Sequence, residues 1–80
     1  MLARVYITLK PGVLDPEGET IGASLRRLGF EEIEGVRVGK YLEIEVGAHD
    51  EAELRRRVEE MCEVLLANPV LENYRIEIRG

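Results

Sequence analysis

The chain has 80 residues, 45% of them hydrophobic and 34% charged, with a formal net charge of -5 and a single cysteine. A chain this short is expected to form one domain over residues 1–80, with a core small enough to need oligomerisation, since a lone Cys62 excludes a disulfide scaffold. The acidic balance opposes a phosphate backbone, no apolar run reaches the length of a bilayer span, and Met1-Leu2-Ala3-Arg4 lacks the apolar core of a signal peptide, so a cytoplasmic protein that binds neither nucleic acid nor membrane is expected.

Ala3 to Lys10 alternates, with Val5, Ile7 and Leu9 on one parity and Arg4, Tyr6 and Thr8 on the other, as in a half-buried first strand. Pro11-Gly12 ends it as a turn pair. Asp15 suits an N-cap and Pro16 the first helical position, and Ile21, Leu25 and Leu28 then form an apolar helix stripe closed by Gly29. Gly18 and Gly22 weaken that helix, or permit close approach to another backbone.

Val36 to Val46 is the longest alternating stretch. Val36, Val38, Leu42, Ile44 and Val46 share one parity, breached only by Lys40; Arg37, Tyr41, Glu43 and Glu45 share the other. Two geometries fit. One is a long strand bent or bulged at Gly39, about 36 Å over its length at ~3.3 Å per residue. The other is a hairpin through a Gly39-Lys40-Tyr41 loop, which sets Val38 opposite Leu42 and keeps the apolar face intact.

Asp50 and Glu53 have the spacing of a capping box opening a second helix. Its stripe is Leu54, Val58, Met61, Cys62 and Leu65, and Glu51–Arg55, Glu53–Arg57, Arg55–Glu59 and Arg56–Glu60 are candidate ion pairs on its wet faces. Asn68-Pro69 stops it. A last strand sets Tyr74, Ile76 and Ile78 against Arg75, Glu77 and Arg79. The expected fold is α+β, a two-layer sandwich of order β-α-β-α-β with a long bent central strand and two helices on one face of a mainly antiparallel sheet; the hairpin would make it a ferredoxin-like βαββαβ.

The chemistry-bearing residues form no constellation. His49 has no partner at metal-ligand spacing, Cys62 lies on an apolar stripe as a small hydrophobe, and Gly35-Val-Arg-Val-Gly39-Lys40-Tyr41 is one residue short of a phosphate loop, with Tyr41 where Ser or Thr is needed. Glu43 and Glu45 share a strand face with Arg4, Arg37, Arg75 and Arg79 as candidate neighbours; that face either meets solvent or meets a second sheet. Catalytic, cofactor-binding and metal-binding residues are therefore expected to be none. A strand longer than its core invites pairing with a second copy, which makes Val36, Val38, Gly39, Leu42 and Ile44 the expected oligomer interface.

Leu9-Lys10-Pro11-Gly12-Val13-Leu14-Asp15-Pro16-Glu17-Gly18, then Val36-Arg37-Val38-Gly39-Lys40-Tyr41, then Met61-Cys62, Leu65-Leu66-Ala67-Asn68-Pro69-Val70 and Tyr74 together resemble PurS, the small subunit of phosphoribosylformylglycinamidine synthase, over nearly the whole chain. The resemblance implies a subunit without catalytic residues, forming dimers or tetramers, that brings together a synthetase subunit, PurL, and a glutaminase subunit, PurQ. The complex would use ATP and Mg to convert formylglycinamide ribonucleotide and glutamine to the amidine in purine biosynthesis. Arg37, Lys40 and Tyr41 would then meet the larger subunits. The alternative is a stand-alone ligand-sensing module of the ACT kind, with Pro11-Gly12 standing in for the glycine-bearing loop after the first strand.

Overall fold

The computed structural model describes all of residues 1–80. Strand β1 (Leu2–Leu9), helix α1 (Pro16–Arg27), strand β2 (Gly39–Glu45), helix α2 (Glu51–Met61) and strand β3 (Glu72–Arg79) follow in the order β-α-β-α-β. The three strands form one antiparallel sheet in the order β2-β1-β3. Val5 lies opposite Leu42 on one side and Ile76 on the other, and Ala3 lies between Ile44 and Ile78. This register places the apolar parity of all three strands on one face, because a slip of one residue would turn every side chain over.

Helix α2 covers that face. Its Asp50 cap accepts from the Glu53 amide at 3.1 Å, as the capping spacing requires. Ala3, Val5 and Ile7 of β1 pack with Leu54, Val58, Cys62 and Ala67 to make the whole fully buried core. Seven side chains, several of them small, make a modest core, since burying a large aliphatic contributes only about 1.5–3 kcal/mol.

Beyond Met61 the helix widens into a π-helical turn, Cys62–Leu66, closed by the Ala67 amide donating to the Cys62 carbonyl at 3.0 Å. The extra residue per turn shifts the phase of the stripe. Leu65, expected in the core, is 80% exposed, while Leu66 and Ala67 turn inward in its place. The expected ion pairs along α2 do not form: the only salt bridges are Arg4–Glu43 and Arg75–Glu77, and Arg55 instead donates to the Ile76 carbonyl at 3.1 Å. Exposed i,i+4 pairs are worth a few tenths of a kcal/mol, too little to hold long side chains in one geometry.

Asp15 caps α1 and Pro16 opens it, as expected. Gly29, at φ +107°, ends it, with its amide donating to the Arg26 carbonyl and that of Phe30 to the Leu25 carbonyl at 3.1 and 3.0 Å. α1 contributes nothing to the core beneath α2. It packs instead on the segment that follows it: Gly18 and Gly22 are buried beneath Val36, and a Cβ at Gly18 would collide with the Val36 carbonyl. The helix and this strap extend the molecule to 48 × 26 × 14 Å, with a radius of gyration of 16.1 Å against about 12 Å for a compact chain of this size.

The expected long central strand is paired only from Gly39 to Glu45. Two bonds prolong it at the far end, the Val46 amide to the Met1 carbonyl at 2.9 Å and the N-terminal ammonium to the Val46 carbonyl at 2.7 Å. Gly39 begins the strand opposite Thr8, and Val36, Arg37 and Val38 run past the end of the sheet without a strand partner.

Candidate interaction surfaces

The sheet face away from α2 carries an ordered polar network. Tyr41, Tyr6 and Arg75 lie side by side across the three strands, and Glu43, Arg4 and Glu77 form the neighbouring row. The Tyr6 and Tyr41 rings are 5.0 Å apart at 42°, and the Arg75 guanidinium lies 4.1 Å over the Tyr6 ring. Each tyrosine hydroxyl donates across to the carboxylate row, Tyr6 to Glu77 at 2.9 Å and Tyr41 to Glu43 at 2.7 Å. Arg75 donates to the other oxygen of Glu77 at 2.9 Å. The Tyr6 hydroxyl and then Arg75 hold the Glu77 carboxyl below its ordinary range, while the bond to Glu43 pushes the Tyr41 phenol up. Arg4 stands 4.0 Å from Glu43, and its Nε is buried without a hydrogen-bond partner. Tyrosine and arginine already fixed by neighbours lose little freedom on contact, which suits them to anchor a protein partner.

A second surface lies at the neck between sheet and strap. A cleft of about 420 Å³ is lined by Ile7, Leu9, Asp15, Glu17, Val38, Gly39, Lys40 and Glu72. Lys40 pairs with Ile7 in the sheet and so shares the apolar parity, at the end that α2 leaves uncovered; this is how the one charged residue on that parity is accommodated. Third, α1 and its ends expose Leu28 at 75% and Ile21 at 38%, with Leu14 at 67% before the helix and Phe30 at 49% after it.

Arg37, Lys40 and Tyr41 therefore do not converge. Arg37 reaches back to donate to the Leu9 and Lys10 carbonyls, Lys40 lines the neck cleft, and Tyr41 lies on the outer face. Among the expected interface residues, Leu42 and Ile44 are half-buried against the chain's own core, Gly39 abuts Ile7, and Val36 and Val38 belong to the strap. Tyr6, Arg75 and Glu77 join the outer network without having been singled out together. Parity put them on one face, but only the pairing register, set by contacts distant in sequence, puts them in adjacent rows.

His49 is exposed, Cys62 is buried, and no three histidine, cysteine, aspartate or glutamate side chains gather as metal ligands do. No helix is long and apolar enough to cross a membrane. The organised parts of this molecule are surfaces, and they define a small α+β interaction module. The profile of the family described as "PurS: Phosphoribosylformylglycinamidine (FGAM) synthase" matches residues 2–80. The chain is 49% identical over 76 residues to the phosphoribosylformylglycinamidine synthase subunit PurS of Archaeoglobus fulgidus, covering 95% of each chain. The structure of Bacillus subtilis PurS superimposes with a TM-score of 0.89 at 42% identity, covering 99% of this chain and 98% of that one. A chain in the structure of PurLQS from Thermotoga maritima does so with a TM-score of 0.81 at 34% identity over 96% of both. The chain belongs to the PurS family of phosphoribosylformylglycinamidine synthase subunits. Membership decides for a synthase subunit against the stand-alone ligand sensor.

Proposed function

We propose that this chain is the non-catalytic subunit that joins a PurL-like synthetase to a PurQ-like glutaminase, so that ammonia released from glutamine reaches the amidine-forming site. The carrying observation is the match over 96% of both chains to a chain of the Thermotoga maritima PurLQS structure. In this reading residues 1–80 act as one cytoplasmic domain. ATP and Mg are bound by the synthetase, and this subunit binds neither. A second copy pairs along residues 36–46, through Val36, Val38, Gly39, Leu42 and Ile44, while Arg37, Lys40 and Tyr41 face the larger subunits. Support for the pairing is that β2 is an edge strand and its lead-in at Val36–Val38 has no strand partner.

Reconstitution of the synthase with and without this chain tests the reading. Omission is expected to abolish glutamine-dependent synthesis and to spare part of the ammonia-dependent synthesis, because ammonia in solution bypasses the glutaminase. Equal loss of both would mean that the subunit shapes the synthetase site and does not bridge. The chain alone is expected to show no glutaminase, ATPase or amidine-forming activity.

A further inference from the structure

The sheet has two free edges, β2 and β3, and they differ in what occupies them. Met1 and Val46 exchange two bonds, at 2.7 and 2.9 Å, so the odd-numbered residues of β1 bond to β2 and the even-numbered ones to β3. The Lys10 amide, donating to the Leu71 carbonyl at 2.8 Å, continues the second series. In β3 the odd positions therefore direct their amides and carbonyls at β1, while Glu72, Tyr74, Ile76 and Ile78 turn theirs outward to the free edge. In β2 the outward set is Gly39, Tyr41, Glu43 and Glu45, and no loop, turn or side chain bonds to their backbone groups. On β3 the edge is occupied. The Glu72 amide donates to the Asn68 carbonyl at 2.7 Å, and Arg55 of α2 reaches round the edge to donate to the Ile76 carbonyl at 3.1 Å.

We propose that Arg55 is an edge guard: it closes β3 to strand addition by a second copy of this chain, so that strand pairing is confined to the β2 edge and ends at one closed assembly. A second copy is the strand to be kept out, because β3 is complementary to itself in one register. Antiparallel pairing centred on Ile76 sets Arg75 opposite Glu77 of the other copy on the outer face, and Tyr74 opposite Ile78 on the inner face. Moving the centre one residue either way sets Arg75 opposite its own counterpart or opposite Arg79, and like charges repel there. In the complementary register the two Ile76 residues exchange both bonds at the two-fold axis, and the carbonyl they need is the one Arg55 occupies. This accounts for where Arg55 goes: Glu51 and Glu59 lie four residues away on either side, and it pairs with neither. A free edge is a template for further pairing, and a sheet open at both edges grows without closing as copies join edge to edge. The inference rests on the reading that a second copy pairs along β2 only for where assembly ends; closure of β3 stands without it.

Sedimentation velocity of the full chain alone, over a wide concentration range, tests the guard. Arg55→Ala is expected to fold, since alanine favours an exposed helix position, and to form species at least about twice the mass of the wild-type one as concentration rises. Arg56→Ala removes the same charge from an exposed neighbour and is expected to sediment as the wild type does. Adding Ile76→Pro to Arg55→Ala is expected to restore the wild-type mass, because the Ile76 amide points away from β1, where proline is tolerated and blocks pairing. Sedimentation of Arg55→Ala identical to wild type, equal growth in Arg56→Ala, or growth that survives Ile76→Pro would each overturn the guard. A wild type that stays monomeric at every concentration would overturn pairing along β2 and leave the guard to be read from a dimer that appears in Arg55→Ala.

Discussion

Gly39 lies so close to the Ile7 carbonyl that a Cβ added to it would stand 2.5 Å from that oxygen. The carbonyl belongs to the central strand and cannot yield without disturbing the pairing of β1. Gly39→Ala is therefore expected to cost about 1–3 kcal/mol, the usual range for forced overpacking, read as a lowered denaturant midpoint. Gly35→Ala, where a Cβ meets nothing within 4 Å, serves as the neutral control. Equal midpoints for the two variants would show that the start of β2 is looser than described.

The core is concentrated in few residues. Leu54, 1% exposed, lies over the central strand, and Leu54→Ala is expected to cost about 2–5 kcal/mol. Total stabilities of about 5–15 kcal/mol are usual, so this one change would leave a large fraction of chains unfolded, as circular dichroism melts would show. Asp50→Ala removes only a cap and is expected to cost ~1 kcal/mol while leaving association with larger subunits intact.

Acid should act late on the hydrogen bond from the Val38 amide to Asp15. The Val38 amide, then the Gly18 amide and Arg37, hold the Asp15 carboxyl below its ordinary range. A depressed carboxyl contributes stability that is fully present above the unfolded value and is lost as pH falls through the folded one. Protection of the Val38 amide is thus expected to be flat near neutrality, after correction for intrinsic exchange, and to fall only below the ordinary aspartate range. Glu17, Lys40 and Glu72 line the same cleft as Asp15. Asp15→Asn supplies the baseline that separates their effect. A protection profile identical in wild type and Asp15→Asn would show that Asp15 carries none of the dependence.

Cys62 reports unfolding. It is fully buried, and burial pushes its thiol up, so the reactive thiolate is scarce in the native state. Thiol reagents are expected to modify it at the rate at which the sheet and α2 open. Rapid modification of the native chain would mean that α2 is displaced far more often than its burial implies.

On the outer face, Tyr41→Ala is expected to leave the fold intact and to weaken association with the larger subunits roughly tenfold, as for an interface anchor. Lys40→Ala tests the neck cleft separately. Val38→Asp places a carboxylate in the strap beside Asp15, Glu17 and Glu72, and is expected to loosen the strap and any pairing with a second copy. Binding titrations and sedimentation distinguish these effects.

Local signals carried most of the element boundaries. Asp15-Pro16 and Asp50 with Glu53 open the two helices where capping chemistry requires, and period-two alternation marks β1, β3 and the paired part of β2. The destination of α1 was not legible. Ile21, Leu25 and Leu28 announce a face to be covered, but an apolar stripe does not name what covers it. Gly18 and Gly22 held the better clue, since their spacing permits the close approach that Val36 makes. The residues expected to face a partner are legible as exposed and ill-matched to a core, yet not as divergent. Arg37, Lys40 and Tyr41 are near neighbours in sequence, but only Lys40 and Tyr41 lie in β2, on its opposite faces; the direction of Arg37 depends on how the strap meets β1.

The π-helical turn at Cys62–Leu66 has a bearing on the lengths that related chains can tolerate. Such a turn is an α-helix holding one surplus residue, and Val64 and Leu65, 81% and 80% exposed, are the residues pushed outward. Deleting Val64 is expected to let the helix close regularly and to keep Leu66 and Ala67 over the sheet, leaving the start of β3 in place. A denaturant midpoint within about 1 kcal/mol of the parent is the expected reading, close to the range seen for surface changes. Deletion of Val58, inside the regular part of the helix, should rotate every later core residue out of position. The chain thus holds, within its main helix, one position where insertions and deletions between relatives can accumulate without moving the sheet.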